Sequence, residues 1–535
     1  MENTKIIENT TINTYLGQKG YTIPKNEISI EKQKQLRNDL TIKPVSHGAP
    51  PGGNMMVSFP AYRESSNKFY VPHYYGVENF GAPKEYKISE GVNIDLEFAG
   101  KLRENQEIVV DTYFNHVKKV GYGGGLLELP CAYGKTVLSL NIISRLNKKT
   151  FIIVHKEFLM NQWIERIQQF LPKARIGKIQ GQILDIDDKD IVIGMLQSLS
   201  MKEYPTSVIE SFGLTIIDEV HHISSEVFSN SLFKLVTKYM LGLSATMNRK
   251  DGTTHVFKMF LGDVIFKGKR DEEREVTVRA IEYYVDDDEF NEVKLDYRGN
   301  VAYSTMISKL CEYNRRSEFI LKVLGDMLQE NPAQQIMVLA HNKNILKYLH
   351  DAIQHRNIAT VGYYIGGMKE KALKETESKM VVIATYAMAA EALDIKTLTT
   401  LIMATPKTDI EQSVGRILRE KHSNPIVVDI VDSHDTFKNQ WRKRKTFYKK
   451  ENYKIIYTTS PKYNPDTSGW TLVFNPVSKD CIKKDKTNVK KNISVKSNSS
   501  SDKSIANDSD DEVEEEPEKS KDKYLTGVCF LKMKK

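Results

Sequence analysis

The chain has little of what would tie it to a metal scaffold, an oxidising compartment or a membrane. Its 535 residues hold four cysteines, Cys131, Cys311, Cys481 and Cys529, far apart and with no Cys-x-x-Cys pair. Neither a zinc site nor a disulfide framework can be built on such spacing, and a reducing compartment suits it. No apolar run approaches the roughly 18 to 20 residues that span a bilayer, so no membrane partner is expected. The opening MENTKIIENTTINTYLG has no charged-then-apolar leader, so export is not expected either. One glycine is also missing. The stretch LELPCAYGKT ends in the Gly-Lys-Thr of a phosphate-binding loop, yet Leu129 stands where such loops usually begin with glycine.

What is present fits a soluble globular protein, with 40% hydrophobic and 27% charged residues. The length is too great for a single core and implies about three or four domains. The formal charge of +8 is unevenly placed. Near the C-terminus, basic KDCIKKDKTNVKKNISVK and acidic DSDDEVEEEPEK partly cancel, leaving a mildly basic body. Such a body attracts nucleic acid by neutralising phosphates, or is simply a solvated surface. Charge alone leaves both readings open.

Residues 1–95 mix aromatic runs with Pro and Gly, as in HGAPPGGN, KFYVPHYYG and FGAPKEY, which predicts short strands and loops. From 96 onward, apolar runs such as FIIVH, DIVIGM and LTIIDE alternate with amphipathic stretches such as KTVLSLNIISRL and EFLMNQWIERIQQFL. Runs of this kind are strands buried on both faces, and the alternation predicts a three-layer α/β domain with a parallel sheet. A charged connection follows, and then a second α/β series from QQIMVLAHN to PIVVDIVD. The expected division is an N-terminal mixed α+β region at 1–95, an α/β domain at 96–265, a connector at 266–310, a second α/β domain at 311–450, an extension at 451–475 and a disordered charged tail at 476–535. DNA recognition and a scaffold packed on the first α/β domain are the two readings of the N-terminal region.

Strand-loop-helix order gives the Gly-Lys-Thr its chemistry. Backbone N–H groups of Pro130 to Gly134 (Cys131, Ala132 and Tyr133 between them; proline itself has no N–H) and of the following helix would cradle phosphates at the positive end of a helix dipole. Lys135 would reach the β and γ phosphates, and the Thr136 hydroxyl would ligate Mg2+. Leu129 then ends the strand and lies outside the cradle. A second apolar run, Leu214 to Ile217, delivers Asp218 to hold the metal and Glu219 to orient and deprotonate a water. ATP and Mg2+ are the expected cofactors. His221 and His222 follow, without the further ligands a zinc site would need.

These residues, Asp218-Glu219-Val220-His221 with LPCAYGKT, resemble the superfamily 2 helicases of the DExH type. Further motifs follow in order. LREN-Gln106 resembles the motif whose glutamine reads adenine, and IIVHKEFLMNQW and VIGMLQSL resemble two motifs that contact nucleic acid. Ser244-Ala245-Thr246 resembles motif III. IATYAMAAEALDI, through Thr385, Glu391 and Asp394, resembles motif V, and QSVGRILR, through Gln412, Gly415, Arg416 and Arg419, resembles motif VI. The resemblance covers about residues 96–450 and implies two RecA-like domains that close on ATP, with Arg416 and Arg419 as arginine fingers. It also implies that His221 and Ser244 to Thr246 couple the ATP site to nucleic acid. Ser413 and Ala392 depart from common forms of the last two motifs without removing a phosphate ligand.

Within the superfamily the chain is similar to the XPB-like and UvsW-like group and to helicases of large cytoplasmic DNA viruses. That likeness implies ATP-driven movement on DNA, 3′-to-5′, in transcription or genome processing in the host cytoplasm. RNA as the substrate, or an ATP-switched clamp in the transcription machinery, are the alternatives. By position in the motifs, Ser198 and Thr385 are nucleic-acid candidates. The stretch FKNQWRKRKTFYKK adds Arg442, Lys443 and Arg444 beside Trp441, Phe447 and Tyr448. It is either a phosphate-and-base contact or an amphipathic helix with a solvated basic face.

Overall fold

The computed structural model describes residues 12–44, 58–121, 123–130, 133–222, 225–247, 249, 251–268, 275–391, 395–418, 422 and 424–476. The tail expected to be disordered lies outside them from 477 onward. By contacts the chain forms two units. One is Met1–Glu275 with Ala387–Thr399 and Glu411–Pro425; the other is Val276–Tyr386 with Thr400–Ile410 and Ile426–Lys535.

The first unit is built on an eight-stranded sheet. Its order is Ile183–Asp185, Ile176–Gln180, Ile191–Met195, Thr150–Val154, Leu214–Ile217, Tyr239–Ser244, Leu126–Glu128 and Val264–Lys267. Only the edge pair of Ile183–Asp185 with Ile176–Gln180 is antiparallel. The sheet is α/β and parallel, as the apolar runs predict, because helices cover both faces. Alternate strand residues serve two cores. Ile152, Val154, Leu214 and Ile216 pack with Leu138 and Ile142 of helix Lys135–Leu146 and with Trp163 of helix Glu157–Phe170. Phe151, Ile153 and Ile217 share the opposite core with Phe228 and Phe257, on helices Ser225–Leu232 and Thr254–Leu261.

That opposite core continues into the N-terminal region. There a five-stranded sheet, ordered Arg63–Glu64, Lys68–Val71, Gly20–Pro24, Tyr15–Gly17 and Glu85–Tyr86, contributes Leu16, Tyr21, Ile23, Phe69 and Val71 to the same cluster.

The second unit has its own eight-stranded sheet, ordered Val361–Tyr364, Val381–Thr385, Gln335–Ala340, Leu398–Met403, Ile426–Asp432, Thr277–Tyr283, Lys454–Thr459 and Thr471–Phe474. Thr277–Tyr283 lies in the stretch read as a connector, yet it pairs in parallel with both Ile426–Asp432 and Lys454–Thr459. Lys454–Thr459 and the antiparallel Thr471–Phe474 come from the stretch read as an extension. The flanking charges of KGKRDEERE hide a strand whose middle, VRAI, is buried. Helices Asn314–Glu330 and Lys343–His355 cover this sheet through Ile320, Leu324, Ile345 and Leu349, the stripe that a 3.6-residue repeat puts on one face.

Candidate nucleotide site

Three adjacent parallel strands of the first unit, Leu214–Ile217, Tyr239–Ser244 and Leu126–Glu128, end side by side. The carboxyl ends of a parallel sheet are where such folds gather ligands. Leu129 continues the ladder by one bond, its N–H donating to the Ser244 carbonyl at 2.8 Å, and its side chain is fully buried. It therefore serves the core, and the position has no use for glycine.

Glycine is required five residues later. Gly134 has φ +89, and a Cβ there would lie 2.3 Å from the Gln106 amide nitrogen. That nitrogen donates to the Tyr133 carbonyl at 2.9 Å, while Gln106 Oε1 accepts from the Arg103 N–H at 3.0 Å. The Arg103 guanidinium also donates to the Tyr133 carbonyl, at 2.6 Å. In this structure the glutamine expected to read adenine braces the Tyr133 carbonyl of the phosphate loop. Cys131 and Ala132 lie outside the described residues. Pro130 accepts from the Tyr133 N–H at 3.2 Å, and Gly134 caps helix Lys135–Leu146 with no side-chain bond. The first-turn N–H groups have no partner within the helix, the usual basis of an anion site.

Lys135 is ion-paired to Glu219 Oε1, with the two side chains 14% and 21% exposed. Glu219 is a non-glycine residue at φ +49, a conformation that costs about 1–2 kcal/mol. Its N–H donates to Asp218 Oδ1 at 3.0 Å, and the Trp163 indole N–H donates to Asp218 Oδ2 at 2.9 Å. Burial, then the Glu219 charge, push the Asp218 carboxyl above its ordinary value, against the pull of Lys135 and of the Trp163 and Glu219 N–H bonds. A buried carboxylate in that state is suited to an incoming cation. Mg2+ takes few protein oxygens and keeps several waters, so a single hydroxyl and a single carboxylate, as Thr136 and Asp218 would offer, are enough to hold it. Among the described residues no cluster of three or more His, Cys, Asp or Glu offers another metal site.

His221 links the site outward. Its Nδ1 is 2.6 Å from the Ser244 hydroxyl and 3.4 Å from Glu219 Oε2. Ser244 donates its one proton to the Thr246 carbonyl, so it accepts from His221 Nδ1–H. In the neutral ring Nε2 is then an acceptor, and the Gln412 amide nitrogen lies 3.2 Å from it. The sequence candidates Lys135, Asp218, Glu219, His221, Ser244 and Gln412 are thus contiguous, and Ala245 is half-buried beside them. Arg416 ends helix Glu411–Arg416 and is buried. Arg419 and Asp394 lie outside the described residues, as do the side chains of Glu391 and His222.

The nucleic-acid candidates divide. Ser198, on helix Leu196–Met201, is half-buried and accepts from the Gly181 N–H at 2.9 Å. Thr385 ends strand Val381–Thr385 and is half-buried. Arg442 and Lys443 are exposed on helix Asp435–Lys450. Arg444 is a correction. It is 1% exposed and makes two 2.8 Å bonds to Asp429, with a third at 3.0 Å to the Lys407 carbonyl. It directly follows the exposed pair, but the helical period turns it inward with Phe437, Trp441 and Tyr448. Sequence reasoning also missed Trp163 and Arg103. The first looks like an ordinary core tryptophan; the second stood three residues before Gln106, the spacing of a capping interaction.

Residues 99–249 match the family described as the res subunit of type III restriction enzymes. A mimivirus protein named as an ATP-dependent RNA helicase is 34% identical over 456 residues, covering 83% of this chain and 86% of that protein. The chain belongs to the ATP-dependent helicases of superfamily 2. An invertebrate iridescent virus protein named as a helicase is 26% identical, covering 80% of this helicase and 98% of its own length. The solved structure of T4 UvsW aligns over 81% of this helicase and 96% of its own chain, at 18% identity and a TM-score of 0.31, too loose a superposition to argue from.

Proposed function

We propose that this helicase is a DNA-stimulated ATPase that moves along DNA 3′-to-5′ and serves viral transcription, in elongation or transcript release, or genome processing in the host cytoplasm. The observation that carries the ATPase is the Lys135–Glu219–Asp218 cluster at a helix N-terminus, joined through His221 to Gln412. ATP would bind with its phosphates on the loop from Pro130 to Thr136, and Thr136 and Asp218 would hold Mg2+, which would supply charge neutralisation. Lys135 would exchange Glu219 for the phosphates, freeing that carboxylate to take a proton from water. Arg416 and Arg419 would stabilise charge on the γ-phosphate. Residues 1–95 would act as an accessory nucleic-acid region on the first domain, and Ser198, Thr385, Arg442 and Lys443 would contact the backbone.

DNA is favoured by the motif resemblance and by the restriction-enzyme family matched at 99–249. RNA is the second reading, because the mimivirus relative carries RNA helicase in its name. The test is steady-state ATP hydrolysis without nucleic acid and with single-stranded DNA, duplex DNA or RNA, with Lys135→Ala as the control. Stimulation by DNA that the control abolishes supports the proposal. Stimulation by RNA alone overturns the DNA assignment, and hydrolysis indifferent to all three overturns the motor.

A further inference from the structure

Helix Leu196–Met201 is so short that its last four carbonyls, those of Ser198 to Met201, have no partner within it. Two of them meet a lysine from a distant stretch. Lys234 Nζ donates to the carbonyls of Leu199 at 3.2 Å and Ser200 at 3.1 Å, and to that of Lys202, just past the helix end, at 2.8 Å. An ammonium has three N–H donors, and here three carbonyls converge on it at the negative end of a helix. The Lys234 side chain is 10% exposed, whereas the carboxylate beside it, Glu203 at 3.0 Å, is 82% exposed and adds little. This cation is drawn out of water mainly to hold backbone.

The backbone it holds surrounds Ser198. The Ser198 carbonyl accepts from the Lys202 N–H at 3.1 Å and from the Tyr204 hydroxyl at 3.2 Å. The Ser198 hydroxyl accepts from the Gly181 N–H at 2.9 Å, while Lys202 Nζ donates to the Gly181 carbonyl and, at 3.2 Å, to Gln182 Oε1. The helix end and the Gly181–Gln182 turn, which joins Ile176–Gln180 to Ile183–Asp185, are thereby one piece. With its oxygen already accepting, the Ser198 hydroxyl has its single proton to give, and a phosphate oxygen is an acceptor. Lys234 itself lies just past helix Ser225–Leu232, the first helix after the turn Val220–His222 beside Glu219. Phe228 and Leu232 of that helix share one core with Leu196 and Leu199. The acidic side of the nucleotide site and the Ser198 segment are thus joined by that core and by one ammonium.

We propose that Lys234 is a positioning residue that holds the Ser198 helix end and the Gly181 turn as a preformed seat for a backbone phosphate of the bound strand, and so sets the affinity for nucleic acid and not the rate of hydrolysis. The inference rests on the nucleic-acid reading of Ser198 given above. A seat that is already rigid costs no ordering when the strand arrives. Without the ammonium three carbonyls lose their donor and the short helix frays from its end, so that part of the binding energy goes into rebuilding it.

The test uses the full chain with Lys234→Met, which keeps the stem and removes the ammonium, with Ser198→Ala, and with the double variant. ATP hydrolysis is titrated with single-stranded DNA and with single-stranded RNA, alongside thermal unfolding. In both single variants the strand concentration for half-maximal stimulation should rise about tenfold, the worth of one hydrogen bond to a charged group. In Lys234→Met the rate at saturating strand and the KM for ATP should stay within about twofold. The double variant should bind no more weakly than the weaker single one, because Lys234 acts through Ser198. A parental half-saturation in Lys234→Met with a lowered melting temperature overturns the proposal, since the lysine then only stabilises. So does an additive loss in the double variant, which makes the two residues independent. Should Lys234→Met fail to fold, Lys234→Gln decides, weaker strand binding supporting the proposal and parental binding overturning it. A parent that no nucleic acid stimulates brings down the helicase reading and this inference with it. A stimulated parent matched by Ser198→Ala brings down the Ser198 contact and this inference, and leaves the motor standing.

Discussion

Both units place aspartates on, or just past the end of, a buried parallel strand, and they use them in opposite ways. In the first unit Asp218 follows strand Leu214–Ile217 and meets an indole N–H, a backbone N–H and, through Glu219, a lysine shared with the phosphate loop. Its pKa is pushed up. In the second unit Asp429 and Asp432 lie on strand Ile426–Asp432, each gripped at two oxygens by a buried arginine, Arg444 and Arg316. A carboxylate on a buried strand is therefore not a site by itself. A site arises where the countercharge is mobile and a ligand can replace it, whereas a matched, dehydrated fork is structural.

The sharpest way to break this comparison is to neutralise each acid. Glu219→Gln should cost hydrolysis on the order of 100-fold or more, measured at saturating ATP and nucleic acid, with urea unfolding little changed. Asp429→Asn should do the reverse. Leaving Arg444 buried with half its partner should cost about 3–5 kcal/mol in urea unfolding, while the ATP affinity of the folded fraction is retained. Equal effects of the two variants on both readouts would erase the distinction between the units.

Next in size is Leu129→Gly, which restores the usual glycine of the loop. Since Leu129 fills the core and lies outside the cradle, the change should cost about 2–5 kcal/mol and give no gain in KM for ATP. A tighter KM would return the position to the phosphate site.

A pH titration sharpens the comparison further. Burial, and to a lesser degree Lys407, push His341 of the second unit down to about 3. An unfolded imidazole titrates near about 6.5, so the unfolded chain takes up the proton first as pH falls. The stability held by the neutral ring is thus fully present above that unfolded value and is lost as pH drops towards 3. His341→Gln should flatten the stability of the second unit between neutral pH and pH of about 4 in urea titrations. An unchanged slope would mean that other groups carry the acid response.

The smallest expected effect is on the helix Asp435–Lys450. Arg442→Ala and Lys443→Ala should each reduce the salt slope of nucleic-acid binding by about one, measured by anisotropy over a salt series. Arg444→Met should leave that slope unchanged. A loss from Arg444→Met alone would restore it as a contact.

The residues themselves reveal the α/β class, both sheets and the order of the motifs, because a parallel sheet buried on both faces writes near-continuous apolar runs and a phosphate loop needs Gly134-Lys135-Thr136 in sequence. The strand Thr277–Tyr283 was not legible, since its pairing with Ile426–Asp432 and Lys454–Thr459 is long-range and charges flank it. Nor was the role of Arg444, which follows from which face of a helix meets Asp429. The same limit applies to Trp163 on Asp218 and to Gln106 on the Tyr133 carbonyl. Local spacing determines which residues can take part in a strand, a loop or a helix turn; which partner each charge meets is decided only when distant segments pack and water is removed from between them.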